Sequence, residues 1–585
     1  MAKFPSVQSI ITTTQKTSLR FPLETITAFL GTIIAILLID EKTDSTEKLY
    51  VKIIMCCSLC LVLFLSVSLY FSVAQKKMWL RFASSLVLGS IGIALVFSFG
   101  EKITQVEALQ YIVLNIALHL LVSFSGFIPK TYNQNEFWEF NKQLFLRILT
   151  AGLYSGFLYG GLALAITAVK NLFDIEIDEH VYGYLFFIIA GIFNTLFFLA
   201  GIPDLNTPKS LELNYPKGLK NFTQFVLMPL ISIYLVILIS YEAKILATFT
   251  LPIGWVSYLV LVFSIFGILS FLLVYPIAKE DGNLWMKTFN RWFYYLLIPL
   301  LGLLFWAILQ RISLYGFTYD RYYVLLLSIW LTIVVFYFLV QKEPKIKFIP
   351  ISMCIIALLT IIGPQSANSV SKYSQLSRFE NYIKLKEKLT PKQEQDLSSI
   401  VDFLEENYGA AVMKTYANNK LDTLLKSDKS ARSSEIMEAL GFEYRSQYDL
   451  SIINDGNIYF EYNKNESQNI ENIHGYDMSF SLSKKVEINC EDCIKIDGVS
   501  YSIQSIEKDY GTDLKINQDL LPLKIIDFIN KNKVFDKNEN KKIIQKIEFP
   551  KYTILLTYRS VSGKKVDNQK KIMYYTIDVL LGIKP

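Results

Sequence analysis

An all-α polytopic bundle of about eleven membrane helices, followed by a C-terminal α+β soluble domain, is the fold that this sequence predicts. Three observations predict it. Of 585 residues, 52% are hydrophobic and 19% charged, against the ~25% charged of an ordinary soluble protein, and the mean hydropathy is +0.33. The charge is unevenly placed. Residues 1–365 carry 26 Lys/Arg and 20 Asp/Glu, whereas residues 366–585 carry 32 of each, so the net charge of +6 lies wholly in the first part. Finally, apolar runs of the ~20 residues that a helix needs to cross ~30 Å of hydrocarbon occur eleven times before residue 365. Together these exclude a disordered chain, a disulfide scaffold and a nucleic-acid partner; the lipid bilayer is the first partner the composition implies.

The runs lie at 21–39, 52–74, 80–99, 108–129, 146–169, 181–201, 222–241, 255–275, 292–310, 322–340 and 346–364. Lipid leaves no backbone group to water, so helices satisfy it internally; a β-barrel would show short alternating segments instead. Residues 1–20 read as a cytoplasmic tail. The first run ends in Ile39-Asp40-Glu41, without the small-residue cleavage site of a signal peptide, so the first helix is expected to stay as an anchor.

Lys and Arg in short loops set orientation. The tail (Lys3, Lys16, Arg20) and the loops holding Lys76/Lys77/Arg81, Lys130/Lys142/Arg147, Lys209/Lys217/Lys220, Lys279/Lys287/Arg291 and Lys342/Lys345/Lys347 carry 18 basic residues, against 8 in the alternating loops. The N-terminus is therefore expected in the cytoplasm and the C-terminal domain outside it. The expected divisions are a tail 1–20, a membrane domain 21–364, a helical connector 365–440 and a β-rich domain 441–585.

Within the spans, Gly152, Gly156 and Gly160 recur every four residues, the spacing that lets a second helix approach closely; Ala190 and Gly191 make the sixth span the expected partner. Tyr111, Asn115, His119 and Ser123 form a polar stripe on the fourth span, expected to face the bundle interior. The stripe serves either inter-helix hydrogen bonding or a substrate or proton path. His119 is the only histidine in a span, so no metal site is expected there. Glu24 reads as a local ion pair with Arg20 one turn earlier. The spans are otherwise almost free of charge, which counts against an ion-coupled transporter. Pro229 and Pro299 are expected to kink their helices.

The outer loop from Arg311 to Arg321 goes against the charge bias. Its arginines flank Tyr315, Gly316 and Thr318, and arginine suits bidentate binding of a carboxylate or phosphate, so Arg311, Arg321, Tyr315 and Thr318 are the candidate binding residues. The competing reading has Asp320 and the aromatics hold both arginines structurally.

After Pro364 the charge rises. Leu376, Phe379, Tyr382 and Ile383 show helical spacing, as do Leu397, Ile400, Phe403 and Leu404 within 396–407. From about 443 the pattern is strand-like, with a turn at Asp455-Gly456, one helix over 522–532 and a long hairpin, 552–561 with 571–581, around Ser562-Gly563. Lys531–Lys546 reads as a solvated segment. Cys490-Glu-Asp-Cys493 resembles a tight turn between strands. Zinc would need two more ligands, while cysteines 56, 57, 60 and 354 lie in spans and His474 is the sole histidine nearby. Outside the cytoplasm a structural disulfide is preferred, with an inert unpaired couple as the alternative. No Gly-rich phosphate loop, nucleophile elbow or His-Glu-x-x-His occurs, so no catalytic residue, metal or cofactor is assigned.

Pro229-Leu-Ile-Ser-Ile-Tyr234 with Tyr241 and Lys244, Leu251-Pro-Ile-Gly254, then Arg311, Tyr315, Gly316, Thr318 and Arg321, and Gly475-Tyr-Asp477, resemble the bacterial multi-pass membrane proteins grouped as domain of unknown function 4153. The resemblance implies an inner-membrane protein with many spans and carries no activity. Three function classes follow. The preferred one is a non-enzymatic envelope protein whose exported domain binds a ligand or partner, such as an anionic lipid or an envelope protein. The second is a permease or lipid-handling protein. The third is a glycosyltransferase using lipid-linked sugar, whose layout places acidic residues in the first outer loop, as Asp40, Glu41 and Asp44 are here.

Overall fold

The computed structural model describes residues 7–101, 103–129, 131–248, 255–278, 284–385, 387–417, 420–422, 424, 432–446, 458–463, 473–484, 487–496, 498–508, 510–532, 535, 542–566 and 569–584. Leu251–Gly254, Asp455-Gly456, Lys3, Lys130, Lys279 and much of 531–546 lie outside them. The chain divides into two compact units, residues 1–384 with 400–432, and residues 385–399 with 433–585. The units cut the chain at other places than the four expected divisions, splitting the connector.

The first unit is helical. It contains α1 (Val7–Arg20), α2 (Pro22–Asp40), α3 (Asp44–Ala74), α4 (Met78–Phe97), α5 (Gln105–Ser125) and α6 (Gln134–Phe173). Next come α7 (His180–Phe187) and α8 (Asn194–Ala200), joined by a π-helical turn at Ile188–Phe193. A second π turn, Thr223–Leu227, joins α9 (Lys217–Phe222) to α10 (Met228–Thr248). Then follow α11 (Trp255–Val274), α12 (Leu284–Tyr315), α13 (Tyr319–Val340), α14 (Phe348–Leu359) and α15 (Ala367–Lys384). Among the described residues nine helices are long and apolar enough to cross a membrane, and two shorter apolar ones, Leu259–Val274 and Phe348–Leu359, stand at the eighth and eleventh predicted spans. This is an integral membrane protein with many spans.

The sequence dictates several helix ends. Thr104 and Glu107 form a reciprocal cap at the start of α5, which satisfies two of the orphan N–H groups of a first turn. The Asn133 side chain accepts from the Asn135 N–H at the start of α6. The π turn at Thr223–Leu227 falls just ahead of Pro229, where the missing proline N–H leaves the helical ladder to be rearranged. Within the expected N-terminal tail, Val7–Arg20 form helix α1. Its Thr12-Thr13-Thr14 run lowers helix propensity and masks the element, but the hydroxyls of Thr12, Thr13 and Thr17 each bond a carbonyl four residues back.

Helix α3 is the axis of the first bundle: 67% of its most apolar window is buried, against 6% for α6. Around it Leu59, Leu69, Val96, Ala117, Phe127 and Phe140 form one core that also takes in Cys354 and Ala357 of α14. A second core joins α10 to α13 through Val260, Leu297, Leu300, Leu304, Leu331 and Val334. Lipid tails are as apolar as leucine, so these cores hold by packing rather than by escape from water.

Helix α16 (Pro391–Tyr408) begins in the second unit and ends in the first. The second unit continues with α17 (Ser433–Leu440), β1 (Ile458–Asn463), β2 (Met478–Ser483), β3 (Asn489–Ile496), β4 (Val499–Lys508), β5 (Gly511–Ile516) and β6 (Asp519–Leu521). It closes with α18 (Ile525–Lys531), β7 (Ile543–Glu548), β8 (Tyr552–Val566) and β9 (Gln569–Ile583). One antiparallel sheet has the order β1-β8-β9-β2, with β7 also on β8, and the other runs β3-β4-β5-β6. Ile554, Leu556 and Tyr558, then Tyr575, Ile577, Val579 and Leu581, alternate into a core shared with Leu514, Ile516 and Ile529, the period-two pattern of a sheet with one covered face. This is the α+β domain expected. The hairpin differs in its turn: β8 and β9 pair as far as Val566 with Gln569, and the expected turn at Ser562-Gly563 is a register shift inside the strand. Glycine in a strand marks a bulge as readily as a turn.

Glu548 closes the base of this sheet. Its carboxylate takes Lys546 and Lys584 at 2.7 Å each and the Thr553 hydroxyl at 2.8 Å. Lys546 first, then Lys584, hold its pKa down to about 2. A depressed carboxylate stabilises fully above its unfolded pKa of 4.5 and loses this as pH falls towards 2. Hydrogen exchange of β7 and β8 in the full protein is therefore expected to accelerate between pH 4.5 and 2 more in wild type than in Glu548→Gln; an identical acid profile in both would contradict this.

Candidate functional site

In the outer loop, α12 ends at Tyr315 and Gly316 follows in the left-handed region, with φ +68°. The last carbonyls of a helix have no partner within it, and here three side chains supply one. Arg321 donates from Nη1 to the carbonyls of Tyr315 and Gly316, both at 3.0 Å. Gln375 of α15 donates to those of Tyr315 and Phe317 at 3.0 and 2.7 Å. Arg378 donates to those of Tyr315 and Leu314 at 2.7 and 3.3 Å. The Phe317 N–H in turn donates to Ser374 Oγ at 2.9 Å. Arg321 also lies over the Tyr315 ring, 5.3 Å from its centre. Two cations thus sit at the negative end of the α12 dipole. Asp320, the expected partner, is exposed and makes no hydrogen bond or ion pair with either arginine among the described residues, although its charge still acts on Arg321. Arg311 is half-buried and makes no hydrogen bond or ion pair among those residues. The structure therefore brings Arg321 and Tyr315 into a helix cap, places Thr318 as the residue before α13 without a side-chain cap bond, and leaves Arg311 as the uncommitted cation. Sequence reasoning missed Gln375 and Arg378, which lie about 60 residues downstream with no local signal.

Tyr111, Asn115 and His119 of the polar stripe line an open groove of about 520 Å³ with Ser58 of α3, and Ser123 is not part of its lining. The stripe's bonds run along its own helix: Asn115 to the Tyr111 carbonyl at 3.3 Å, His119 Nδ1 to the Asn115 carbonyl at 2.8 Å, and Ser123 to the Leu120 carbonyl at 2.7 Å. His119 is exposed and faces this groove rather than the expected bundle interior, whereas Tyr111 at the other end packs against the core. The glycine stripe also faces away from its expected partner: a Cβ at Gly152, Gly156 or Gly160 would meet nothing within 4 Å. The neighbouring pair Ala151 and Ser155 is buried instead, with Ser155 donating to Asn194 at 3.3 Å. Gly191 packs elsewhere, where a Cβ would sit 2.0 Å from Thr32 Oγ1 of α2.

Glu24 corrects the expected local ion pair. Arg20 turns away from it to donate to the carbonyls of Ile202 and Pro203 at 2.7 and 3.0 Å. Glu24 is 0% exposed, accepts from the Ser68 hydroxyl and lies 3.6 Å from Arg81 of α4. Arg81 also donates to the Arg20 carbonyl at 3.0 Å. Glu24 Oε2, Arg81 Nε and Ser85 Oγ have no hydrogen-bond partner. The spans thus hold a buried carboxylate and guanidinium that their near-neutral sequences hid.

At the other end of α2, Asp40 accepts from the Tyr184 hydroxyl at 2.6 and 2.7 Å and lies 3.1 Å from His180 Nδ1. Among the described residues no group of three or more His, Cys, Asp or Glu is placed to hold a metal ion.

In the second unit Cys490-Glu-Asp-Cys493 lies within β3 rather than in a turn between strands, and the register against β4 shifts between Cys490 and Ile494. The Cys493 side chain lies outside the described residues. In a straight strand residues three apart are ~10 Å apart, beyond the ~7 Å limit for a disulfide; a bulge shortens that separation. We propose the Cys490–Cys493 bond on this ground. Mass spectrometry after alkylation without reductant is expected to find neither cysteine labelled, and label on both would refute the bond.

These features define a class: a polytopic helical membrane protein carrying an α+β domain at its C-terminal end. The chain belongs to the family described as a domain of unknown function (DUF4153), which matches residues 25–387, as the resemblance implied. Gly475-Tyr476-Asp477 lies beyond that match. An uncharacterised protein of Pasteurella multocida (strain Pm70) is 26% identical over 335 residues, 55% of this chain and 54% of that protein. The chain thus spans about half the length of this curated relative. No solved structure matches.

Proposed function

We propose that this is a non-catalytic protein of the bacterial inner membrane whose C-terminal domain lies outside the cytoplasm and binds an anionic partner of the envelope. One observation carries the reading. The β8–β9 register sets Lys564 opposite Lys571 and Lys565 opposite Lys570, so four lysines share one hairpin end. Four lysine positions gathered at one hairpin end form a basic cluster that suits an anionic partner. The loop charge bias supports the orientation. Alkaline phosphatase fused after Pro585 is expected to be active and after Lys345 silent; the reverse refutes the topology. Changing all four lysines to glutamine is expected to remove cross-linked adducts that form in intact cells at this hairpin. Adducts undiminished by the change refute the lysine contact.

The lipid-handling reading is favoured by the stripe groove, since polar side chains at membrane depth mark substrate paths. Uptake into proteoliposomes that falls on changing His119 to Leu would support it. The glycosyltransferase reading would use Asp40, whose carboxylate is already engaged by Tyr184 and His180.

A further inference from the structure

We propose a binding site for one anionic phospholipid in the groove between α1, α6 and the π turn that joins α7 to α8. The groove has a volume of about 540 Å³, within the ~300–1,000 Å³ of ligand pockets. One wall is apolar, with Ile192, Leu196 and Phe197. The other is α1, presenting Thr13, Thr14 and Thr17. A single cation, Arg147 of α6, stands in the lining.

Three observations point to an acyl chain beside an anionic headgroup. First, Arg147 is exposed and makes no hydrogen bond or ion pair among the described residues, whereas Arg20 and Arg81 of the same unit are committed to carbonyls. An arginine at the end of a membrane span offers a planar fork that matches phosphate. Second, the backbone makes room for it. A Cβ at Gly201 would sit 2.3 Å from Arg147 Cδ and 2.4 Å from Nε, so the arginine lies directly against the bare backbone of 201 at the groove end and would have to shift for a larger residue there. Third, the apolar wall runs from the π turn Ile188–Phe193, with Ile188, Ile192 and Phe193, into α8, with Leu196 and Phe197, and such turns occur often at functional sites. A lone phosphate would leave that wall unused, and an uncharged lipid would leave the guanidinium unpaired.

The test is native mass spectrometry of the delipidated full-length protein with three probes. Dioleoyl phosphatidylglycerol, dioleoyl phosphatidylcholine and glycerol phosphate differ in charge and in chains. Wild type is expected to hold one phosphatidylglycerol at least tenfold more tightly than phosphatidylcholine, and to show no glycerol phosphate adduct. Arg147→Gln should erase that preference and leave phosphatidylcholine unchanged, with Arg147→Lys intermediate. Leu196→Trp should weaken both lipids by filling the wall; should it fail to fold, Ala200→Leu probes the same wall. An undiminished preference in Arg147→Gln overturns the headgroup assignment. Undiminished lipid binding in the wall variant overturns the chain assignment. Glycerol phosphate bound as tightly as the lipid replaces the site with one for free phosphate.

Discussion

Changing Arg81 to methionine is expected to destabilise the membrane unit by about 3–5 kcal/mol, the scale on which removing one partner strands a buried charge. The carboxylate left behind, Glu24, is fully buried and would keep only the Ser68 hydroxyl. The Arg20 carbonyl also loses its donor. Glu24→Gln alone should cost less, because a neutral amide is left beside a guanidinium that is 13% exposed. Combining Glu24→Gln with Arg81→Met should cost well below the sum of the two. Residues in one ion-pair network couple by about 0.5–3 kcal/mol. Reversible unfolding in mixed detergent, run as a double-mutant cycle, reads the coupling. Strict additivity would mean that the 3.6 Å approach contributes nothing.

The second large effect is expected at the end of α12. Arg378→Ala removes two charge-assisted bonds to carbonyls, each worth about 1.5–3 kcal/mol where buried. The site is partly open, so a loss of roughly 2 kcal/mol is expected in all. Lysine keeps the charge but not the fork, and should recover less than half. Gly316→Ala should be comparably severe: its φ is +68° and its Cβ would meet Arg378 Cδ at 2.7 Å. Arg311→Ala is the contrast. With no hydrogen bond or ion pair to lose, it should stay within ~0.5 kcal/mol of wild type. If Arg311→Ala destabilises as much as Arg378→Ala, both arginines belong to one cap and the free-cation assignment is wrong.

What was legible in the sequence was what repeats locally. The eleven apolar runs follow from composition alone, and the sheet core from alternation in Ile554, Leu556 and Tyr558. What was not legible depends on which side of a helix meets a neighbour. The stripe Gly152–Gly156–Gly160 has good spacing for close packing, yet Ala151 and Ser155 are buried instead. Gly191 reads as a packing partner for that stripe, but what it packs against is Thr32. The Arg321 cap was open to two readings because both need only an arginine beside a turn, and Arg378, the residue that separates them, is remote in sequence. Glu24 was misjudged because Arg20, one turn away, offered a local partner, while its actual cation lies two helices on. The hairpin turn was displaced because Ser-Gly suits a bulge and a turn equally.

Helix α6 runs for 40 residues, or about 60 Å at 1.5 Å per residue, twice the ~30 Å hydrocarbon thickness. Tilt alone does not absorb that, since it would need about 60° and spans stay within ~40°. The polar opening of α6, with Asn135, Glu136, Asn141 and Lys142, therefore stands clear of the hydrocarbon. The apolar stretch 146–169, about 36 Å long, still exceeds the bilayer and fits at a tilt of about 35°. In a thicker membrane the same helix stands more upright. Hydrophobic mismatch at α6 is thus taken up by tilt. The apolar window of α6 is the least buried among the long spans, whereas its opening is held in the core by Phe137, Trp138 and Phe140, so a change of tilt would pivot about that end.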